Sequence, residues 1–183
     1  MSEFSESYHL VGKDRREGIA LLTRAGLSGY VYPAINDWIT LLPSGPIYTQ
    51  NEELIANNHG MLLYYAYAED HGWSFSLYEG DKLICRYDCS WDEEIVHDVS
   101  ELHAERLLAF INSRPGRQQD VTDEQLMKAL SITDFEELFE QVPAYQFAQW
   151  LGLTHYEWQS HDYIERDFEE SLDYITDSGV VKV

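Results

Sequence analysis

The sequence predicts an α+β fold: an antiparallel sheet of hairpins over roughly residues 28–90, packed against helices, with a mostly helical C-terminal half. Three observations predict it. Runs of β-branched and aromatic residues, punctuated by Pro, Gly and Asn-Asp, fill the first half. The apolar period changes to a helical one after residue 98, and capping-box spacings recur beyond that point. With 183 residues, 44% hydrophobic and 14% aromatic, the chain is long enough for one domain over 1–183. In that domain 1–98 is mainly sheet-forming with short helices and 99–183 is mainly helical.

"REGIALLTRAG" places Ile19 and Leu22 on one stripe, with Leu21 beside it and Gly26 as a stop, so a short helix is expected. "GYVYPAINDWITLLPSGP" reads as two strands about a turn. "NEELIANNHG" reads as a short helix closed near Gly60. "MLLYYAYAED" is apolar on both alternating faces, as a central strand covered on both sides must be.

"HGWSFSLYEGDKLICRYDCSWDEE" holds both cysteines and has to be either a reactive site or a hairpin. A three-residue loop through "EGD" sets Leu77 opposite Leu83, Phe75 opposite Cys85 and Trp73 opposite Tyr87. A two-residue loop slips the register by one and splits the apolar set between faces, so burial favours the three-residue form. Cys85 and Cys89 then share a strand face at a Cα separation of about 13 Å, too far for a disulfide or a shared zinc. Cys85 is expected in the core under Phe75, with Cys89 the more reactive thiol. His71 is expected in the turn before Trp73.

Asp98 and Glu101 have capping-box spacing ahead of a helix with Ala104, Leu107, Leu108 and Ile111 inward. "SRPGRQQD" reads as an exposed linker. Thr122 with Gln125 and Thr133 with Glu136 repeat the capping spacing, the second ahead of Phe135, Leu138, Phe139 and Val142 on one face. That stripe is core in the simplest reading and a partner-binding groove in the sharper one. Pro143 starts the next helix. A last helix near 163–176 turns Ile164, Phe168, Leu172 and Ile175 inward, and "SGVVKV" adds an edge strand.

No apolar run approaches the roughly 20 residues of a spanning helix, and "MSEFSESYHL" lacks the basic start and apolar body of a signal peptide. Two cysteines make no disulfide framework. A cytoplasmic protein with no membrane partner is expected. The formal charge is −21, whereas about 2 to 8 units keep a small domain soluble. The nearest approach to a basic stripe is Arg114 to Arg117, so direct nucleic-acid binding is not expected. The excess acidity reads as solubility or as complementarity to a basic protein partner.

There is no phosphate-binding glycine loop, no dinucleotide fingerprint, no His-Glu-x-x-His and no Gly-x-Ser-x-Gly, and no cofactor is expected. Two function classes remain. One is a protein-protein interaction module, in the manner of an immunity or antitoxin-like inhibitor. Its candidate contact is the acidic ridge Glu165, Glu169, Asp173 and Asp177 at i+4 spacing on the last helix. Repulsion along that ridge, and the position of Asp173 and Asp177 toward the helix's negative end, oppose local stability. The alternative is a metal-assisted or acid/base hydrolase-like enzyme using His155, Glu157 and His161. The former class carries the expectation.

Overall fold

The computed structural model describes residues 1–116 and 119–183. Its strands are β1 (Phe4–Val11), β2 (Gly29–Val31), β3 (Trp38–Pro43), β4 (Met61–Ala68), β5 (Gly72–Glu79), β6 (Lys82–Trp91), β7 (Ile95–Asp98) and β8 (Val181–Lys182). They form one antiparallel sheet in the order β7-β6-β5-β4-β1-β3-β2-β8. The helices are α1 (Arg15–Ala25), α2 (Glu52–Ala56), α3 (Ala104–Asn112), α4 (Asp123–Ala129), α5 (Phe135–Gln141), α6 (Pro143–Leu151), α7 (His161–Glu169) and α8 (Asp173–Ser178). The fold is therefore α+β, with most helices in the C-terminal half.

Alternation along the strands explains the layering. On one face Leu63, Tyr65, Trp73, Phe75, Leu77, Cys85, Tyr87 and Cys89 bury against Leu107, Ile111, Leu126, Leu138 and Phe147 from α3 to α6. Further along the same face, Tyr30 and Leu42 bury against Ile164 and Ile175 of α7 and α8. On the other face Tyr8, Leu10, Ile39, Leu41, Leu62 and Tyr64 meet Leu21 and Leu22 of α1 and Leu54 of α2. α1 packs so closely on β3 that a Cβ at Gly18 would lie 2.7 Å from the Leu41 side chain.

Several boundaries follow the local chemistry. α1 ends at Gly26 in the left-handed region (φ 67°) and begins with a capping box from Asp14 and Glu17. The turn between β2 and β3 carries Asn36 and Asp37 at positive φ, a conformation that short polar side chains tolerate. Thr122 and Gln125 form their reciprocal box at the start of α4. β4 is buried on both faces and β8 closes the edge beside β2. His71 lies in the turn before β5. Of the stretch 113–120, residues 117 and 118 lie outside the described residues.

Other expectations are corrected. The β5–β6 loop has two residues, since Glu79 faces Lys82, and the register shifts at Leu77/Tyr78, where Leu83 and then Cys85 are the partners. The bulge restores a common apolar face, so Leu77 faces Cys85, Phe75 faces Tyr87 and Trp73 faces Cys89. Asp98 ends β7, where its carboxylate accepts from Ser100 N–H at 3.0 Å, and α3 starts after His103 without a side-chain cap. Strand pairing with Asp88 outweighs the local capping pattern there. α5 is capped by Asp134, one residue later than Thr133, and Phe139 of its stripe is 50% exposed. The last helix is two helices: Ser171 takes φ 54° between them, and Leu172 is exposed.

Candidate functional site

His155 sits between α6 and α7 with its ring stacked on Tyr32 at 3.9 Å, and its Nε2 is buried with no hydrogen-bond partner among the described residues. Burial holds it neutral by lowering its pKa to about 4. His161 opens α7 with its ring 5.6 Å from Tyr30 and its Nδ1 3.6 Å from the Asp162 carboxylate. Glu157 is exposed. Each histidine packs on a different tyrosine, His155 on Tyr32 and His161 on Tyr30. Among the described residues no group of three or more His, Cys, Asp or Glu is placed to hold a metal ion.

The acidic ridge is divided by the break after α7. Glu165 lies near Lys182 Nζ at 3.9 Å and His161 at 4.0 Å. Glu169 is exposed at the end of α7, and Asp173 and Asp177 are exposed on α8. Asp173 therefore stands in the first turn of a helix, where a carboxylate is favoured, and the electrostatic objection to it falls away.

The cysteines are both free and buried, at 0% exposure for Cys85 and 1% for Cys89. Burial raises each thiol to about 11, so the expected reactivity difference between them has no basis.

Sequence reasoning passed over β1, which runs through the centre of the sheet. Glu3, just before it, and its odd positions Ser5, Ser7 and His9 are buried although every one is polar. Glu3 Oε1 accepts from Ser5 Oγ at 2.7 Å and from Trp158 N–H at 2.8 Å, and Oε2 accepts from Tyr145 hydroxyl. Ser7 Oγ lies 2.8 Å from His9 Nε2, and His9 Nδ1 lies 3.0 Å from Thr40 Oγ1. A nucleophile, a base and an orienting group are thus in line, but all three are sealed in the core and burial lowers His9 to about 3. The line satisfies buried polar groups and fixes the strand against its neighbours. The repeating polar odd positions of "EFSESYH" are the signal, and they mimic a solvent face.

Two surface features remain. At the sheet's end, β7 presents Val96 at 50% exposure, followed by exposed Val99. Trp91 and Val96 border an open hollow with Asp92, Glu93 and Glu94, and Trp91 meets exposed Phe139 edge-on at 6.0 Å. Glu136 and Glu140 are exposed beside Phe139 on α5.

The second feature is a polar valley across β4, β5 and β6, on the face that α1 and α2 cover further along. Register places Glu6, Ala66, Ser74 and Asp88 in one cross-strand row and Tyr8, Tyr64, Ser76 and Arg86 in the next. A hollow of about 500 Å³ lies over Tyr64, Ser74, Ser76, Arg86 and Asp88 of these rows, bordered by Tyr48, Thr49 and Gln50. Gln50 is fixed by donating to Ser76 Oγ at 3.0 Å and accepting from Tyr78 hydroxyl at 2.5 Å. Glu6 Oε2 accepts from Tyr64 hydroxyl and from Tyr48 N–H, each at 2.8 Å, while burial raises the Glu6 carboxyl above its usual range.

Comparison of the chain with protein-family models, with curated proteins and with solved structures finds no match to any of them.

Proposed function

We propose that the protein is an interaction module that docks an extended basic segment of another protein along β7, as an antitoxin-like or immunity-like inhibitor masks a basic partner. The observation that carries this is exposed Val96 on the terminal strand β7 and Val99 just after it, beside Asp92, Glu93 and Glu94, with exposed Phe139 against Trp91 on the opposite face of the sheet. A terminal strand offers backbone donors and acceptors to an added strand. The apolar side chains would hold such a segment, and the acids would steer a cationic one to it and raise its association rate. The formal charge of −21 gives that steering long reach at low ionic strength. The hydrolase-like alternative has less support, because His155 is stacked on Tyr32 and held neutral by burial while Glu157 is exposed.

The test uses a short synthetic peptide of alternating valine and lysine, titrated into isotopically labelled protein. The expected result is amide shifts at Val96 and its neighbours, with affinity falling as salt rises. Charge reversal at Asp92, Glu93 and Glu94 should weaken binding about ten-fold or more. The pair Glu169→Lys and Asp173→Lys, on α7 and α8, should leave it unchanged. If the second pair abolishes binding and the first set does not, the contact lies on the C-terminal acids. If no peptide amide pairs with β7, the reading fails.

A further inference from the structure

We infer that the valley over β4, β5 and β6 is a binding site for a neutral, polyhydroxylated ring, that is, a sugar. This site adjoins the β7 edge at Ser90 but rests on other residues. Three features of the valley point to it.

Its depth comes from side-chain size. The middle columns carry Ala66, Ala68, Gly72, Ser74 and Ser76, while Tyr48 stands on one side and Arg86, Asp88 and Ser90 on the other. The hollow of about 500 Å³ shares Tyr48, Ser74 and Asp88 with a second hollow of about 150 Å³, so the two adjoin on either side of these residues. Their combined size suits a small ligand.

Its wall is an aromatic ring held in place at a conformational cost. Tyr48 has φ 58°, disfavoured for a bulky residue, and is 55% exposed. The Glu6 carboxylate accepts its backbone N–H, and Phe4 backs its ring at 4.8 Å between centroids. A loop that needed only to connect two elements would relax; this one displays a ring over the groove.

Its floor has polar groups still free to bind. Ser74 hydroxyl and Asp88 carboxylate are cross-strand neighbours, and among the described residues neither holds a side-chain hydrogen bond. The Arg86 guanidinium makes one long contact, 3.6 Å to Glu101. Gln50, pinned between Ser76 and Tyr78, adds an oriented amide.

These groups select the ligand class. Arg86 lies among Asp88, Glu101 and, across from Asp88, Asp98, so the site is locally acidic, and that charge together with the chain's net −21 repels phosphates and other anions. A wholly apolar ligand would strand the serine and carboxylate of the floor. A pyranose offers a C–H-rich face for the Tyr48 ring and hydroxyls that both donate to Asp88 and accept from Arg86, Ser74 and Gln50.

The experiment titrates three soluble oligosaccharides, maltotriose, cellotriose and chitotriose, into the labelled full chain and follows amide shifts together with tyrosine fluorescence. Binding by at least one, with shifts at Tyr48, Ser74, Ser76 and Asp88, is expected. Tyr48→Gly removes the ring while suiting the positive φ, so its melting temperature should hold or rise while affinity falls about ten-fold. Asp88→Ala should weaken binding similarly. Phe139→Ser, at the β7 edge, should leave it unchanged. Shifts confined to other surfaces, unchanged affinity in Tyr48→Gly, or no binding by any of the three would overturn the assignment, as would binding of inorganic phosphate alone at Arg86.

Discussion

Phe75 on β5 and Tyr87 on β6 are direct cross-strand partners, with ring centroids 5.6 Å apart and planes at 23°, and Phe147 of α6 stacks on Phe75 at 4.1 Å. This triple contact ties the hairpin to the helical layer. A double-mutant cycle with Phe75→Leu and Tyr87→Leu should give a coupling of about 0.5 to 1.5 kcal/mol in chemical denaturation. Phe147→Ala should cost about 3 to 5 kcal/mol, because the helices over this face are rigid enough to leave a cavity. Additive behaviour at 75 and 87 would contradict the register.

Gly72 enters β5 with φ 155°, and a Cβ there would lie 2.3 Å from the Cys89 carbonyl oxygen. The obstruction is backbone on a paired strand, which has no flexible end to swing away. Gly72→Ala should therefore destabilise the protein by about 1 to 3 kcal/mol, read as a lower urea midpoint with an unchanged slope. A neutral substitution would mean that the strands approach less closely than this.

Both thiols should resist alkylation in the native protein at pH 8 and react at full rate in denaturant. Burial and the raised pKa of about 11 act together, since each suppresses accessible thiolate. Mass measurement after native treatment should find fewer than one label per chain. Rapid single labelling of Cys89 would place it outside the core.

His9 and His155 are held neutral, with pKa values lowered to about 3 and about 4. The unfolded chain protonates both near about 6.5, so below that value it binds more protons than the folded chain does. Their contribution to stability is complete above about 6.5 and is lost as pH falls toward their folded values, with a slope of about 1.4 kcal/mol per pH unit for each proton excluded. Glu6 and Asp88, both raised by burial, run in the opposite sense. The net melting temperature should drop between about pH 6.5 and 4, and His155→Phe should flatten that drop. An unchanged profile in this variant would show that His155 ionises freely in the folded state.

Much of the architecture is legible in the sequence because it rests on contacts a few residues apart. The stripe of Ile19 and Leu22, with Leu21 beside it and Gly26 as a stop, makes α1, the box of Thr122 and Gln125 starts α4, and the two-faced apolarity of "MLLYYAYA" makes β4 a covered strand. Even the parity of the β5–β6 hairpin follows from the need to keep Trp73, Phe75, Leu77, Cys85 and Tyr87 on one face.

What only the tertiary structure decided depends on partners far along the chain. The true register needed a bulge at Leu77/Tyr78, which no loop-length argument contains. β1 became a central strand because Trp158, Gln159 and Tyr145, some 140 or more residues away, supply partners for Glu3 and Ser5; without them its polar odd positions would belong in water. The break at Ser171, where the backbone turns left-handed, divided the acidic ridge, and each of the two short helices it leaves buries its own isoleucine, Ile164 or Ile175, in one cluster with Tyr30 and Leu42. The surroundings of His155 and His161 are likewise tertiary: each imidazole packs on a tyrosine more than 120 residues earlier in the chain, Tyr32 and Tyr30. Short-range patterns set which segments are helix or strand, and long-range burial set which of their polar groups face solvent and which face one another.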